Sequence, residues 1–97
     1  MACHVICEMT VREGRFQDLC KWFVEMLPGT RGYEGNISVE VIRDHDDPSR
    51  IVFMEKWDAR QDFERYLAWR NETGAVAELG EILEGPIDFR FHDGLGV

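Results

Sequence analysis

Apolar and polar residues alternate along four stretches of the chain, residues 3–10, 36–43, 51–57 and 87–92. Successive side chains of a strand point to opposite faces, so this alternation predicts four strands, each with one face in the core. Residues 44–50, which separate the second stretch from the third, are rich in Asp and include Pro and Ser. This composition is typical of a turn, so the two flanking strands are predicted to form a hairpin.

Apolar residues recur at intervals of three and four between the first two strands, which predicts a helix. The apolar stripe of this helix consists of Phe16, Leu19, Cys20, Phe23 and Leu27. Pro28 and Gly29 follow the stripe and are predicted to end the helix, because proline and glycine both disfavour helix continuation.

Two further helices are predicted between the third and fourth strands. Asp58 is expected to cap the first of them, with Gln61 three positions later as a capping-box partner. The inward stripe of that helix consists of Phe63, Tyr66, Leu67 and Arg70, and Thr73-Gly74 ends it. A shorter helix follows and ends at Gly85-Pro86, and its inward residues are Val76, Leu79, Ile82 and Leu83.

The order of the main elements, βαββαβ, predicts a ferredoxin-like α+β fold with a four-stranded antiparallel sheet covered by helices on one face. The residues expected to face the helices are Cys3, Val5, Cys7, Met9, Ile37, Val39, Val41, Ile51, Phe53, Glu55, Trp57, Ile87, Phe89 and Phe91. Glu55 is the one charged residue in this set, so a carboxylate is expected on the apolar side of the sheet.

The opposite face of the sheet is predicted to mix aliphatic with charged side chains. Its aliphatic members are Ile6, Ile42, Val52 and Met54. An uncovered sheet face with four aliphatic residues favours a partner, and a second copy of the chain is the simplest one. We therefore predict a homodimer that forms through this face.

With 97 residues, the chain is long enough for one small domain, predicted to span residues 1–97. The net charge is −8 and the acidic residues are spread along the chain. This argues against nucleic acid and anionic membranes as partners, because both bind basic surfaces. No apolar run approaches the roughly 20 residues that a membrane span needs.

The chain has three cysteines, which is an odd number and does not suggest a set of disulfides. Cys3 and Cys7 would lie about 13 Å apart along one strand, which is too far for a disulfide. The N-terminal residues lack the basic and long apolar regions of a signal peptide. A cytoplasmic protein with reduced thiols is predicted.

Several segments resemble the antibiotic biosynthesis monooxygenase family of dimeric α/β barrels. They are the loop at residues 31–35, the DDPSR turn, the strand ending in EKW, the helix containing YLAWRNETG and the closing EGPIDFRF, which together span nearly the whole chain. The resemblance implies that two sheets pack into a barrel across a dimer, with a pocket between sheet and helices in each subunit. It also implies oxygenation of anthrones and quinols without a cofactor or, in another branch, haem degradation.

The residues that the aromatic oxygenases of this family use are matched in part. Trp57 matches their Trp at the strand end, whereas Phe53 and Phe63 stand where they have Asn and Tyr, and their later Arg falls near Ala77. In the haem-degrading branch, Asn, Trp and an iron-binding His occupy the positions of Cys7, Tyr66 and Val76. No His lies on either pocket helix, so haem is rejected and no cofactor is predicted.

Three polar residues on the pocket side are candidates for catalysis. Glu55 would be a general base whose pKa burial raises. Tyr66 would position a phenolic substrate or stabilise an oxyanion, and Arg70 would hold a negative substrate oxygen. The predicted pocket wall consists of Cys7, Phe23, Phe53, Trp57, Phe63, Leu67 and Val76.

Each candidate also has a structural interpretation. Glu55 could be tied to Arg70 or to backbone amides, Tyr66 could be a core residue with its hydroxyl at the edge, and Arg70 could pair with an acid. His4 and His92 could join Glu8 or Glu40 in a two-His, one-carboxylate site. These residues lie on the predicted dimer face without short ligand spacing, so no metal site is predicted.

The favoured hypothesis is a cofactor-independent monooxygenase that oxidises a small hydroquinone-like or anthrone-like aromatic with O₂. A first alternative is a proton-transfer enzyme on the same scaffold, an isomerase or decarboxylase in which Glu55 moves protons. A second alternative is a dimer that binds a small molecule without chemistry. The assignment to oxygenation rests on the family resemblance, which is weaker support than site geometry.

Overall fold

The four alternating stretches form a single antiparallel sheet, with three helices packed on one face. The computed structural model describes residues 2–97, and Met1 lies outside the described residues. The elements are β1 (Cys3–Thr10), α1 (Phe16–Arg31), β2 (Asn36–Arg43), β3 (Arg50–Trp57), α2 (Arg60–Thr73), α3 (Ala75–Ile82) and β4 (Asp88–Asp93). The strand order is β2-β3-β1-β4. The predicted ferredoxin-like βαββαβ fold is confirmed.

The two central strands, β1 and β3, supply most of the buried side chains of the sheet. Val5 of β1 is opposite Glu55 of β3, and Cys7 is opposite Phe53 on one side and Phe89 on the other. These residues alternate with outward ones along each strand, as the sequence pattern predicts. The register therefore brings Cys7 and Glu55 onto the helix-covered face, in neighbouring positions.

Strand β2 departs from the predicted alternation at Ile37. Asn36 pairs with Trp57 and Ser38 pairs with Lys56, so Ile37 is the extra residue of a β-bulge. Such a residue has no partner across the ladder. Ile37 is 49% exposed, and its predicted place against the helices is wrong. Val39 and Val41 follow the bulge and face the helices as predicted.

Helix α1 continues past Pro28 to Arg31, so the prediction that Pro28 and Gly29 end it is wrong. Proline removes one helical hydrogen bond, the one to the carbonyl four residues before. That carbonyl belongs to Val24, a residue on the exposed side of the helix. The last turn closes when the Gly32 amide donates to the Pro28 carbonyl at 3.0 Å.

Helix α2 begins at Arg60 after an extended Ala59, and no described side chain caps its start. The predicted capping box of Asp58 and Gln61 is therefore wrong. The backbone of Asp58 instead prolongs the strand pairing, because its amide donates to the Gly35 carbonyl at 2.8 Å. The helix ends at Gly74, where the chain adopts a positive φ of 83° before α3, as the sequence predicts.

None of the helices among residues 2–97 has the length and apolar character that crossing a membrane requires.

Candidate functional site

A cavity opens between the helix-covered face of the sheet and the helices. The cavity has a volume of about 50 Å³, counted as room for the centres of water-sized molecules, and the empty space around it, including the part that opens to solvent, is about 450 Å³. The side chains that form its wall are Cys7, Met9, Trp22, Phe53, Glu55, Phe63, Tyr66, Leu67, Arg70, Val76, Leu79, Ile87 and Phe89. The wall is therefore apolar apart from a few groups, as is usual for small-molecule sites.

Glu55 stands on the sheet side of this wall with two hydrogen-bond donors. The indole N–H of Trp57 donates to Oε1 at 3.1 Å, and the thiol of Cys7 donates to Oε2 at 3.7 Å. Glu55 is 5% exposed and forms no ion pair with any of the described residues. It is thus a buried carboxyl group without a counter-ion.

Burial raises the pKa of Glu55 above its usual value of 4.5, because the charged form loses its hydration. The hydrogen bonds from Trp57 and Cys7 oppose this change, because they stabilise the ionised form. Burial and the neighbouring Glu55 charge also raise the pKa of Cys7, so Cys7 stays a protonated thiol and a donor. Glu55 can therefore exchange a proton inside an apolar cavity, which is what a general base or acid requires.

Arg70 reaches the cavity wall from α2 and ties that helix to the end of α1. Its Nη2 donates to the Met26 carbonyl at 2.7 Å and to Thr30 Oγ1 at 3.3 Å. Its Nε donates to Tyr66 Oη at 3.0 Å, and its Nη1 contacts the Met26 sulfur at 3.5 Å. No carboxylate of the described residues pairs with it. The two interpretations in which Arg70 pairs with Glu55 or with another acid are therefore wrong.

The hydroxyl of Tyr66 is already engaged in this network. It accepts from Arg70, and it shares a short hydrogen bond with Thr30, whose own hydroxyl lies 3.3 Å from the Met26 carbonyl. Donation from Tyr66 to Thr30 and from Thr30 to Met26 gives every hydroxyl proton an acceptor. The Tyr66 ring therefore forms cavity wall, while its hydroxyl supports the position of Arg70.

The structure places five of the seven predicted pocket residues on the cavity wall, namely Cys7, Phe53, Phe63, Leu67 and Val76. Phe23 and Trp57 are not part of the wall. Phe23 packs behind it, with its ring centroid 5.0 Å from that of Phe53. Trp57 is fully buried and reaches the site through its hydrogen bond to Glu55.

Five wall residues were not predicted to line the pocket, namely Met9, Trp22, Leu79, Ile87 and Phe89. Met9 and Phe89 could have been found from strand alternation, because they share a sheet face with Cys7. Trp22 lies three residues after Leu19, so helical spacing also allowed it. Its indole N–H is buried and has no acceptor among residues 2–97.

His4 and His92 are directly opposite each other in β1 and β4. They alternate with buried positions of β1 and lie on the outer face of the sheet. Within the described part of the chain, no group of three His, Cys, Asp or Glu side chains is arranged to hold a metal ion.

Comparison with known proteins gives one family and several solved structures with the same fold. The family model described as antibiotic biosynthesis monooxygenase matches residues 2–78. Rv0793 from Mycobacterium tuberculosis is similar in structure over 100% of this chain and 98% of its own, with a TM-score of 0.86 and 20% identity. SnoaB from Streptomyces nogalater, described as a cofactor-independent oxygenase, is similar over 99% and 95% of the two chains, with a TM-score of 0.84 and 14% identity. Comparison with curated proteins gives no match. At these identities, the structural likeness shows a shared fold.

Proposed function

Because this chain belongs to the antibiotic biosynthesis monooxygenase family, we propose that it oxidises a small hydroquinone-like or anthrone-like aromatic with O₂ and without a cofactor. The observation that carries this proposal is Glu55, a buried carboxyl group without a counter-ion in the wall of an apolar cavity. SnoaB, which has the same fold, is described as a cofactor-independent oxygenase.

In the proposed reaction, Glu55 takes a proton from the substrate hydroxyl or its acidic C–H. The anion that remains gives one electron to O₂, and the resulting substrate radical and superoxide combine through a new C–O bond. The peroxide takes up the proton from Glu55, and the O–O bond then breaks as the carbon that carries the peroxide loses its hydrogen, so that water leaves and a carbonyl group remains on the ring. One oxygen atom enters the product and the other leaves as water. All four electrons come from the substrate, so no external reductant is needed.

The surrounding residues support this chemistry in different ways. The apolar wall excludes water from the reactive anion and binds the aromatic ring. Arg70 lies in the same wall, and its positive charge stabilises the anion that forms when Glu55 takes the proton. Tyr66 holds Arg70 through its hydroxyl. The narrow interior favours a single ring over a three-ring anthrone.

Oxygen uptake by chelator-treated protein, with a panel of hydroquinones and anthrones, tests the proposal. We expect uptake above background that falls by about 10²- to 10⁴-fold in Glu55→Gln, the usual contribution of a general base.

Tyr66→Phe should keep most of the activity and lose stability, about 1 kcal/mol for one hydrogen bond. Glu72→Gln removes an exposed carboxylate from α2 and should change nothing. Full uptake by Glu55→Gln would refute the role of Glu55.

Proton transfer without oxygen is the second candidate, and the same observation supports it, because the position of Glu55 requires only a substrate with an acidic proton. An isomerase or decarboxylase would turn over equally well under argon and in air. Binding without turnover in either atmosphere would favour the third hypothesis, a dimer that binds a small molecule without catalysis. Product analysis under argon and in air therefore separates the three.

We also propose that two copies pair through the outer face of the sheet. Ile42 and Met54 are exposed there, at 46% and 37%, and Ile6 and Val52 are half-buried beside them. The ladder places Ile6 opposite Met54 and Ile42 opposite Val52, so the four side chains adjoin. A contiguous aliphatic patch on an uncovered sheet face favours association.

The three cysteines are free thiols, and two of them, Cys3 and Cys7, are buried. Free buried thiols suit a reducing compartment, so we propose that the protein works in the cytoplasm.

A further inference from the structure

Glu55 and Arg70 are buried in the same cavity wall, and neither has an ion-pair partner within residues 2–97. Glu55 can lose its charge by binding a proton, which its raised pKa favours. Arg70 cannot, because a guanidinium stays protonated in proteins. The wall therefore keeps a positive charge that is in contact with no carboxylate among the described residues.

The groups that surround Arg70 compensate this charge in part. They are a carbonyl, two hydroxyls and a thioether, all of them uncharged. The carbonyl is at the end of α1, where the helix dipole is negative, and the Trp69 ring lies 4.5 Å from the guanidinium carbon. Nη1 donates only to the weak acceptor Met26 Sδ among the described atoms. It is therefore the guanidinium nitrogen that can most readily donate to a ligand.

We infer that the ligand of this cavity is a monoanionic hydroxyaryl acid, whose carboxylate pairs with Arg70 while its hydroxyl faces Glu55. This inference rests on the proposed function, because it takes the small aromatic substrate and adds a charged group to it. A carboxylate pairs well with a guanidinium that has already lost its water, and the apolar wall accommodates the ring between the two polar ends. The same guanidinium would stabilise the further negative charge that forms on the ring.

The test compares binding of two ligands to the full chain at pH 7 under argon. Gentisic acid is a hydroquinone with a ring carboxylate, and hydroquinone lacks that group. We expect gentisate to bind roughly 10- to 100-fold more tightly, the range that one charge-assisted hydrogen bond supplies. Isothermal calorimetry measures both affinities. Equal binding, tighter binding of hydroquinone, or no binding of gentisate would overturn the inference.

Three variants assign the preference to Arg70. Arg70→Met should abolish the difference between the two ligands, and Arg70→Lys should keep part of it because the charge remains. Arg65→Gln removes an exposed charge from the same helix, where Arg65 pairs with Asp62, and should keep the full preference. Circular dichroism checks that each variant is folded. A preference that survives in folded Arg70→Met, or that Arg65→Gln abolishes, would refute the assignment. If Arg70→Met does not fold, Arg70→Lys decides, and an unchanged affinity ratio in that variant would refute it.

Because binding is measured without oxygen, its outcome is separate from that of the uptake experiment. A protein that consumes O₂ with hydroquinone but shows no preference for gentisate keeps the proposed function and loses this inference. A protein that selects gentisate without consuming O₂ keeps the inference about the ligand and loses the oxygenase.

Discussion

Glu55 occupies a position where an apolar side chain would cost less free energy. Its neighbours across the ladder are Val5 and Val39, and a buried carboxylate loses the hydration that it has in the unfolded chain. Two hydrogen bonds, from Trp57 and Cys7, offset part of this loss. A buried carboxyl group without a counter-ion beside a cavity points to a chemical role more strongly than to a structural one.

The raised pKa of Glu55 makes the stability of the protein depend on pH. The folded carboxyl binds its proton more tightly than the unfolded one, so this group favours folding most below about pH 4.5. Its contribution falls as the pH rises toward the folded pKa and stays lower above it. Glu55→Gln should therefore raise the free energy of unfolding at pH 8, on the order of 1 kcal/mol, and change it little at pH 4.

Thermal denaturation of Glu55→Gln at the two pH values checks this prediction, with about 4–8 °C expected for each kcal/mol in a domain of this size. The exposed Glu72→Gln serves as the control. A variant that is less stable than the wild type at pH 8 would contradict the prediction.

The partners of Glu55 and Arg70 were only partly accessible from the sequence. Strand alternation places Glu55 among apolar residues, and register then brings Cys7 beside it. Pairing between Glu55 and Arg70 looked plausible because opposite charges attract. Arg70 instead bonds to the Met26 carbonyl, 44 positions away in the chain. Arg70 also bonds to Thr30, which lies in α1 only because the helix continues past Pro28, against the helix-stop signals.

At the scale of elements, periodicity predicted β1, β3 and the inward stripe of α2 well, because packing and local pattern agree there. Periodicity and local signals failed at two places, the extra residue Ile37 in β2 and the start of α2. The bulge at Ile37 needs a register that only the neighbouring β3 defines. The start of α2 depends on the tertiary bond between Asp58 and Gly35, which no local capping rule contains.

Gly35 connects these elements and should not tolerate a side chain. Its φ is +91°, and a Cβ there would lie 2.5 Å from the Asp62 Cγ in the first turn of α2. Gly35→Ala is expected to destabilise the protein by about 2 kcal/mol or more, from backbone strain and the clash together. Urea unfolding measures the loss.

Gly80→Ala is the matched substitution within α3. Beyond its chain neighbours and the adjacent backbone of α3, no described atom would lie within 4 Å of the new Cβ, and alanine favours the helix by roughly 0.5–1 kcal/mol. It should therefore stabilise the protein. Equal effects of the two substitutions would show that the conformation and contacts of Gly35 do not matter.

At the scale of the whole molecule, the sheet separates two surfaces of different composition. The helix-covered face contains the core and the cavity, and the outer face carries exposed aliphatic residues among charged ones. Arg50 pairs with Glu8 on the outer side at 3.1 Å, so charges there are partly matched within one chain. The aliphatic patch is what a second copy would cover.

Met54→Asp should prevent the proposed dimer, because it places a charge in the middle of the aliphatic patch. Analytical ultracentrifugation should then give the mass of one chain, about 11.3 kDa, where the wild type gives twice that value. Val24→Asp is the control, since Val24 is equally apolar and more exposed but lies on α1. A monomeric wild type would refute the dimer, and a dimeric Met54→Asp variant would refute the proposed face.

The alternation of β3 has a consequence for how this protein can change over evolutionary time. Its inward residues form the core and hold Glu55, and its outward residues belong to the face proposed for pairing. A substitution in this strand therefore alters either the site or the proposed assembly, so we expect few substitutions in β3 to be neutral. The outer rows of α1 and α2 face neither surface, and inherited variation can accumulate in them without changing chemistry or partner.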